Sequence, residues 1–285
     1  MESARLAVIT DLHHGLAPDA LSRFRAFTAE VSRRRNLHAV LQLGDFCYSD
    51  VGSAECLAEW NAVAGARLSV LGNHDMDKCD KDTAMRAAGM ASRYWSRVVG
   101  GYRFVALDLN HFKKGGVLVP YATGNYFTDG ATYNWADADQ LAWLQREIEN
   151  SAEPVVVLSH QPLGMPEPDK SLPPEQREVF DVMARATSVS GKGRVVACIS
   201  GHLHVDRLEH VDGIACLSLN SASYFWYEGM HAYTKPLFAF MEFTTAGELI
   251  VEGRAGAFVE SPPSASDVVA GRSGAILDRR VPFKS

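Results

Sequence analysis

The sequence predicts an α/β domain in which two mixed β-sheets pack face to face with helices outside them. Two patterns carry this prediction. The first third of the chain alternates short apolar strands with amphipathic helices, and the stretch after residue 195 is rich in strands and turns. The composition sets the frame: 285 residues with 47% hydrophobic, 22% charged and 9% aromatic residues exclude disordered, collagenous and coiled-coil classes.

Residues 6–9 read as a short buried strand. Pro18 and Asp19 then open a helix with Leu21, Phe24, Phe27 and Val31 near helical spacing, and the basic run 33–35 suits its C-terminus. Strand 39–43, helix 54–64 and strand 68–71 complete a βαβαβ run, which implies parallel pairing with right-handed crossovers. After a helix over 81–88, strands 94–98 and 102–109 flank Gly100-Gly101 as a hairpin, so antiparallel pairing enters. Asp137 with Gln140 marks a capped helix carrying Leu141, Leu144 and Ile148 on one face. Strand 155–158, a helix near 175–186 and strand 195–199 follow, then strands 205–209, 214–219, 237–243 and 248–252. Segments 110–135, 161–174 and 220–234 are rich in Gly, Pro or aromatic residues and carry no strand or helix pattern; loops this long are usually functional or disordered. The aromatic content of 110–135 and 220–234 argues against disorder. Residues 1–255 read as one domain and 256–285 as a C-terminal arm or tail.

Twenty-eight Lys and Arg against 34 Asp and Glu leave a net charge of -6, so no nucleic-acid or anionic-membrane partner is expected. The apolar runs fall far short of the ~20 residues that span a bilayer. The N-terminus has Glu2 and only a short apolar stretch before Asp11, unlike a secretory signal, so a cytoplasmic location is expected. Five cysteines without CxxC spacing fit reduced thiols.

The chemistry is concentrated at strand ends. Asp11 and His13 follow the first strand, Gly44-Asp45 the second, Gly72-Asn73-His74-Asp75 the third, His160 strand 155–158, and Gly201-His202-Leu203-His204 strand 195–199. Carboxyl ends of strands are where open α/β sheets bind ligands, so these clusters should converge. Oxygen and nitrogen donors in this number suit divalent first-row metals, and the isolated Asp45 is the natural bridge between two ions. Glycines before Asp45, Asn73 and His202 permit tight turns around them.

This ordered set, Asp11-x-His13, Gly44-Asp45, Gly72-Asn73-His74-Asp75, His160 and Gly201-His202-x-His204, resembles the calcineurin-like metallophosphoesterase superfamily. The resemblance implies a four-layer αββα sandwich. It also implies two divalent ions, manganese or iron with zinc as the alternative. One would be held by Asp11, His13, Asp45 and His204, the other by Asp45, Asn73, His160 and His202. His74 would be the non-ligand histidine aimed at the phosphate, as acid toward the leaving oxygen or as transition-state donor. Asp75 would orient His74 or support the ligands from behind. Gly44-Asp45 continues as Phe46-Cys47-Tyr48 rather than with the Asp-Arg-Gly signature of protein serine/threonine phosphatases. Purple acid phosphatases lack the histidine of the first motif, so with His13 present Tyr48 reads as packing rather than an iron ligand.

The expected activity is hydrolysis of a small phosphodiester by metal-bound hydroxide. The alternatives are an ADP-ribose or CDP-alcohol pyrophosphatase and then a phosphomonoesterase; the rival from another class is a non-catalytic scaffold of the same fold. The substrate expected is a small phosphodiester or nucleotide-type molecule, and an oligomer is compatible with the sequence. Asn110 and His111, between a strand and a long loop, are candidate substrate residues. Tyr121, Tyr126, Tyr133, Tyr224, Trp226 and Tyr227 are either stacking faces for a base or alcohol group, or core beneath the loops, or an oligomer surface. His14 should point away from His13, and His38, His210 and His231 read as structural.

Overall fold

The computed structural model describes residues 2–166, 171–190, 194–226, 229–260 and 273–283. The chain opens with β1 (Ala4–Ile9), α1 (Ala20–Arg33), β2 (Ala39–Gln42), α2 (Ala54–Ala62) and β3 (Ala66–Ser69), the expected alternation. Next come α3 (Lys81–Ala87) and the hairpin β4 (Trp95–Val99) and β5 (Tyr102–Ala106). Segment 110–135, expected as irregular, holds a small sheet of β6 (His111–Lys114), β7 (Val117–Pro120) and β8 (Thr132–Tyr133). The alternation needed to mark these strands is absent because Gly115-Gly116 and the short arms leave too few residues for a period to show. Then follow α4 (Ala138–Glu149), β9 (Val155–Leu158), α5 (Pro174–Ser190), β10 (Val195–Ser200), β11 (Arg207–Val211) and β12 (Ile214–Ser218). Asp137 caps α4 by accepting from the Gln140 N–H at 3.0 Å. The aromatic segment 220–234 contains β13 (Tyr224–Trp226) and β14 (Met230–Ala232), and β15 (Ala239–Phe243), β16 (Glu248–Glu252) and β17 (Arg279–Pro282) close the chain.

One six-stranded sheet has the order β17-β16-β15-β1-β2-β3 and the other β11-β12-β10-β9-β5-β4. In the first, β1, β2 and β3 are parallel; in the second, β5, β9, β10 and β12 are. Period-two alternation sorts the side chains into layers. From β1, Leu6 and Val8 point to the layer between the sheets, where they join Phe104, Val156, Leu158 and Leu217 of the other sheet. Ala7 and Ile9 face the opposite way, against Phe24 and Phe27 of α1 and Trp60 of α2. On the far side, Val155 and Val157 of β9 meet Leu144 of α4 and Phe180 and Met183 of α5. The result is the αββα sandwich expected. No helix among the described residues is long and apolar enough to cross a membrane, and all five cysteines are free thiols.

No periodicity in the sequence marks β17, yet it pairs antiparallel with β16 and places Val281 in the layer between the sheets. Residues 261–272 and 284–285 of the expected arm lie outside the described residues.

Candidate metal centre

Asp11 and His13 leave β1, Asp45 leaves β2, Asn73 and His74 leave β3, His160 leaves β9, and His202 and His204 leave β10. Main-chain bonds stitch these turns together: Asp11 N–H donates to Gly44 O at 3.0 Å, His13 N–H to Asp45 O at 2.8 Å, and Gly201 N–H to His160 O at 3.1 Å. The Asp11 carboxylate accepts from Thr10 Oγ1 at 2.6 Å and from the His202 N–H at 3.1 and 3.2 Å. Asp11, His13, Asp45, His202 and His204 all hold left-handed backbone, with φ of 53°, 53°, 50°, 69° and 51°. Side-chain-bearing residues adopt that region at a cost, and such strain gathers at functional sites. Gly72 and Gly201 are required for a different reason: a Cβ would collide with the Asp45 carboxylate at the first and the Asp11 carboxylate at the second.

Asp11, His13 and His204 bring one ligand atom each within 4.8 Å of one another, and Asp45, His160 and His202 do the same. A third grouping, His13, Asp45 and His74, overlaps both through shared residues or neighbours. His204 Nε2 lies 3.0 Å from His13 Nε2 and 3.2 Å from Asp11 Oδ1. His160 Nε2 lies 3.0 Å from Asp45 Oδ2 and 3.2 Å from His202 Nδ1. The other ring nitrogen of His160 is held on the Leu43 carbonyl at 2.8 Å, the outer contact that fixes a ligating imidazole. Asn73 Oδ1 is buried without a hydrogen-bond partner, an acceptor that a cation would satisfy. Two carboxylates, four imidazoles and a spare amide oxygen are a donor set that fits divalent metal ions.

The charges are balanced tightly. Burial favours the neutral carboxyls, but His204 and His160 beside Asp11, and His160 and His74 beside Asp45, hold both acids well below the usual carboxylate range. Burial lowers His13 to about 3, and burial with the neighbouring His160 lowers His202 to about 4. For His160 the desolvation penalty is outweighed by Asp45 and Asp11, which raise it to about 9. His74 is likewise raised to about 9 against burial, by Asp45 and then Asp77.

The family model of the calcineurin-like phosphoesterases matches residues 4–206, the span that contains every residue of this cluster. The chain belongs to that family. It is a metal-dependent phosphoric ester hydrolase. A probable cyclic nucleotide phosphodiesterase of Synechococcus sp. is 26% identical over 212 residues, covering 70% of this chain and 72% of the relative. A dimetal phosphatase from Danio rerio shares the fold with a TM-score of 0.66 at 17% identity, each chain covered in full. GAP50, the anchor in the inner membrane complex of Plasmodium, shares it with a TM-score of 0.61 at 12% identity, over 100% of this chain and 90% of that one.

Other side chains sharpen the picture of this phosphoesterase. Asp75 does not face the His74 ring: its carboxylate accepts from the N–H groups of Gly72, Asp45, Phe46 and Cys47 at 2.8–3.2 Å, bracing the turn that carries Asp45. The carboxylate at His74 is Asp77, whose Oδ2 lies 2.8 Å from His74 Nδ1. Tyr126 adds a hydroxyl 3.2 Å from the same nitrogen and also bonds Asp77. Asp77 was legible as an i, i+3 partner of His74, since such residues eclipse in a 3₁₀ turn, and residues 74–76 form one. Tyr126 had no such signal, because it arrives from 52 residues away.

Asn110 and His111, expected at the substrate, do not line the pocket over the cluster. Asn110 is fully buried, with its amide on Leu71 O and Asp108 and its oxygen accepting from Gln161. His111 bonds the Trp135 carbonyl at 3.1 Å. Both sit in a buried network around Asp108, Lys81 and Arg93 that anchors the base of segment 110–135. Strand-end polarity there serves the anchoring of a loop, since a buried strand end must also satisfy its own polar groups. Tyr121, Tyr126, Tyr133, Tyr224 and Trp226 do line the pocket, whereas Tyr227 lies outside the described residues. Tyr48 stacks under Lys78 and packs on Gly15, and His14 turns to Ser53 Oγ at 3.1 Å.

Proposed function

We propose that the protein hydrolyses a small phosphodiester at this centre, with Asp11, His13, Asp45 and His204 holding one ion and Asp45, Asn73, His160 and His202 the other. Manganese or iron is the expected metal, with zinc the alternative. When bound, two such ions would neutralise phosphoryl charge and lower the pKa of a water enough to supply the nucleophile near neutral pH. His74 stands beside the shared Asp45, donating its backbone N–H to Asp45 Oδ1 at 2.8 Å. With Asp77 on Nδ1, His74 keeps Nε2 for the substrate, where the imidazolium donates a proton to the departing ester oxygen. Asp77 holds the ring in that orientation.

The observation that carries the choice of a diester is the pocket wall. Among the described residues no Lys or Arg lines it. A diester monoanion asks for no charged group beyond two ions and His74, so a wall without Lys or Arg suits it, whereas the second charged phosphate of a pyrophosphate would find no Lys or Arg of the wall to pair with. The name of the Synechococcus relative agrees with this reading. A manganese-supplemented panel of bis-p-nitrophenyl phosphate, p-nitrophenyl phosphate, cyclic AMP, glycerophosphocholine, ADP-ribose and CDP-choline tests the proposal. A diester should lead. Preference for ADP-ribose or CDP-choline selects the pyrophosphatase and preference for p-nitrophenyl phosphate the monoesterase, and no turnover on any diester with both metals bound contradicts the diester reading.

A further inference from the structure

Among the described residues, Leu16, Phe127, Leu203 and Trp226 are exposed large hydrophobic side chains, and all four line the pocket that also holds His13, His74 and His204. Scattered apolar exposure needs no explanation; a cluster around a polar centre does. Phe127 is 82% exposed and Trp226 62%, and they come from different segments of the chain. Each is tied by one tyrosine to one side of the centre. The Phe127 ring lies 4.7 Å from that of Tyr126, whose hydroxyl touches His74 and Asp77. The Trp226 ring lies 6.3 Å, edge to face, from Tyr224, whose ring is 5.0 Å from His13 and 4.9 Å from His204. The cavity so bounded holds about 730 Å³, far more than a dimethyl phosphate fills and ample for a diester with rings.

We infer that these two aromatic arms are specificity elements for a phosphodiester bearing flat, uncharged rings, with Phe127 against the departing alcohol and Trp226 against the ester group that stays on phosphorus. The assignment of sides rests on the proposed phosphodiesterase reading, because it takes His74, on the Phe127 side, as the acid at the leaving oxygen. Aromatic rather than aliphatic faces dominate the walls, and uncharged rings stack on them without needing the cations that the walls lack.

The test uses full-length, manganese-loaded enzyme and two esters with one leaving group, phenyl p-nitrophenyl phosphate and methyl p-nitrophenyl phosphate. The wild type should prefer the phenyl ester by tenfold or more in kcat/KM. Trp226→Ala should erase that preference, with the larger loss falling on the phenyl ester, and Phe127→Ala should slow both esters alike. A preference that survives Trp226→Ala overturns the assignment, as does an octyl p-nitrophenyl ester that outruns the phenyl ester. Binding gives an independent readout: diphenyl phosphate should quench tryptophan emission in the wild type and not in Trp226→Phe. Absence of that quench overturns the arms even if diesters turn over. A quench without any diester turnover keeps them and overturns the phosphodiesterase reading instead.

Discussion

At the scale of single residues, the left-handed backbone of Asp11, His13, Asp45, His202 and His204 says most about the site. Each such conformation costs about 1–3 kcal/mol and persists only where its surroundings hold it. Here it aims five side chains inward that a relaxed turn would send elsewhere. Replacing Asp45, the carboxylate proposed to be shared, by Ala should therefore empty both metal positions in elemental analysis. His74→Ala should keep both metals and lose ~10²–10⁴ in turnover on a poor leaving group. The chelated protein offers a pH test. His160 and His74, raised to about 9, stay protonated in the folded state after the unfolded chain has lost its protons near 6.5, so their contribution is full below 6.5 and is lost as pH rises through 9. His13 and His202, lowered to about 3 and 4, act in the opposite sense and withdraw stability as pH falls below 6.5. These four groups together predict a stability maximum near pH 6.5 in urea unfolding with chelator. A midpoint that climbs steadily to pH 9 would contradict the assignments.

At the scale of elements, the legible part of the site is the part that sits at strand ends. Runs such as 39–43 and 155–158 are apolar enough to read as buried strands, and the polar residue that follows each is then the first to leave the sheet. Side chains that act across elements had no such marker. The Asp75 carboxylate binds four backbone N–H groups of two turns, a role that only the fold reveals. Tyr126 reaches His74 because β6, β7 and β8 fold segment 110–135 back over the centre, and those strands are too short to print a period. Asp77→Asn should lower kcat for a poor leaving group by about 10- to 100-fold, a share of the usual acid–base contribution, and spare an ester with a p-nitrophenyl leaving group. Equal losses on both, measured with metal content unchanged, would show that Asp77 only supports the fold.

Over the whole molecule, two sheets with opposite faces committed to helices and to each other bring five strand ends to one edge. The C-terminal segment contributes more than an arm would. Ile276 and Val281 are buried in the layer between the sheets, and Arg279 forms a bidentate pair with the buried Asp206 at 2.8 Å on both arms. Asp206 stands two residues beyond His204, so the segment braces a ligand-bearing turn from behind. Nothing local in the sequence marks this contact, because its partners lie 73 residues apart. Ile276→Ala should cost about 2–5 kcal/mol in denaturant unfolding, the range for a large-to-small change in a core. Arg279→Ala leaves a buried carboxylate unpaired and should cost about 3–5 kcal/mol, together with weaker metal retention on dialysis. The account as a whole stands on two ions that share one carboxylate. Anomalous diffraction from crystals grown with manganese measures this directly. Two peaks ~3.5–4 Å apart on either side of Asp45 are the predicted result, whereas a single peak, or a pair remote from Asp45, would contradict it.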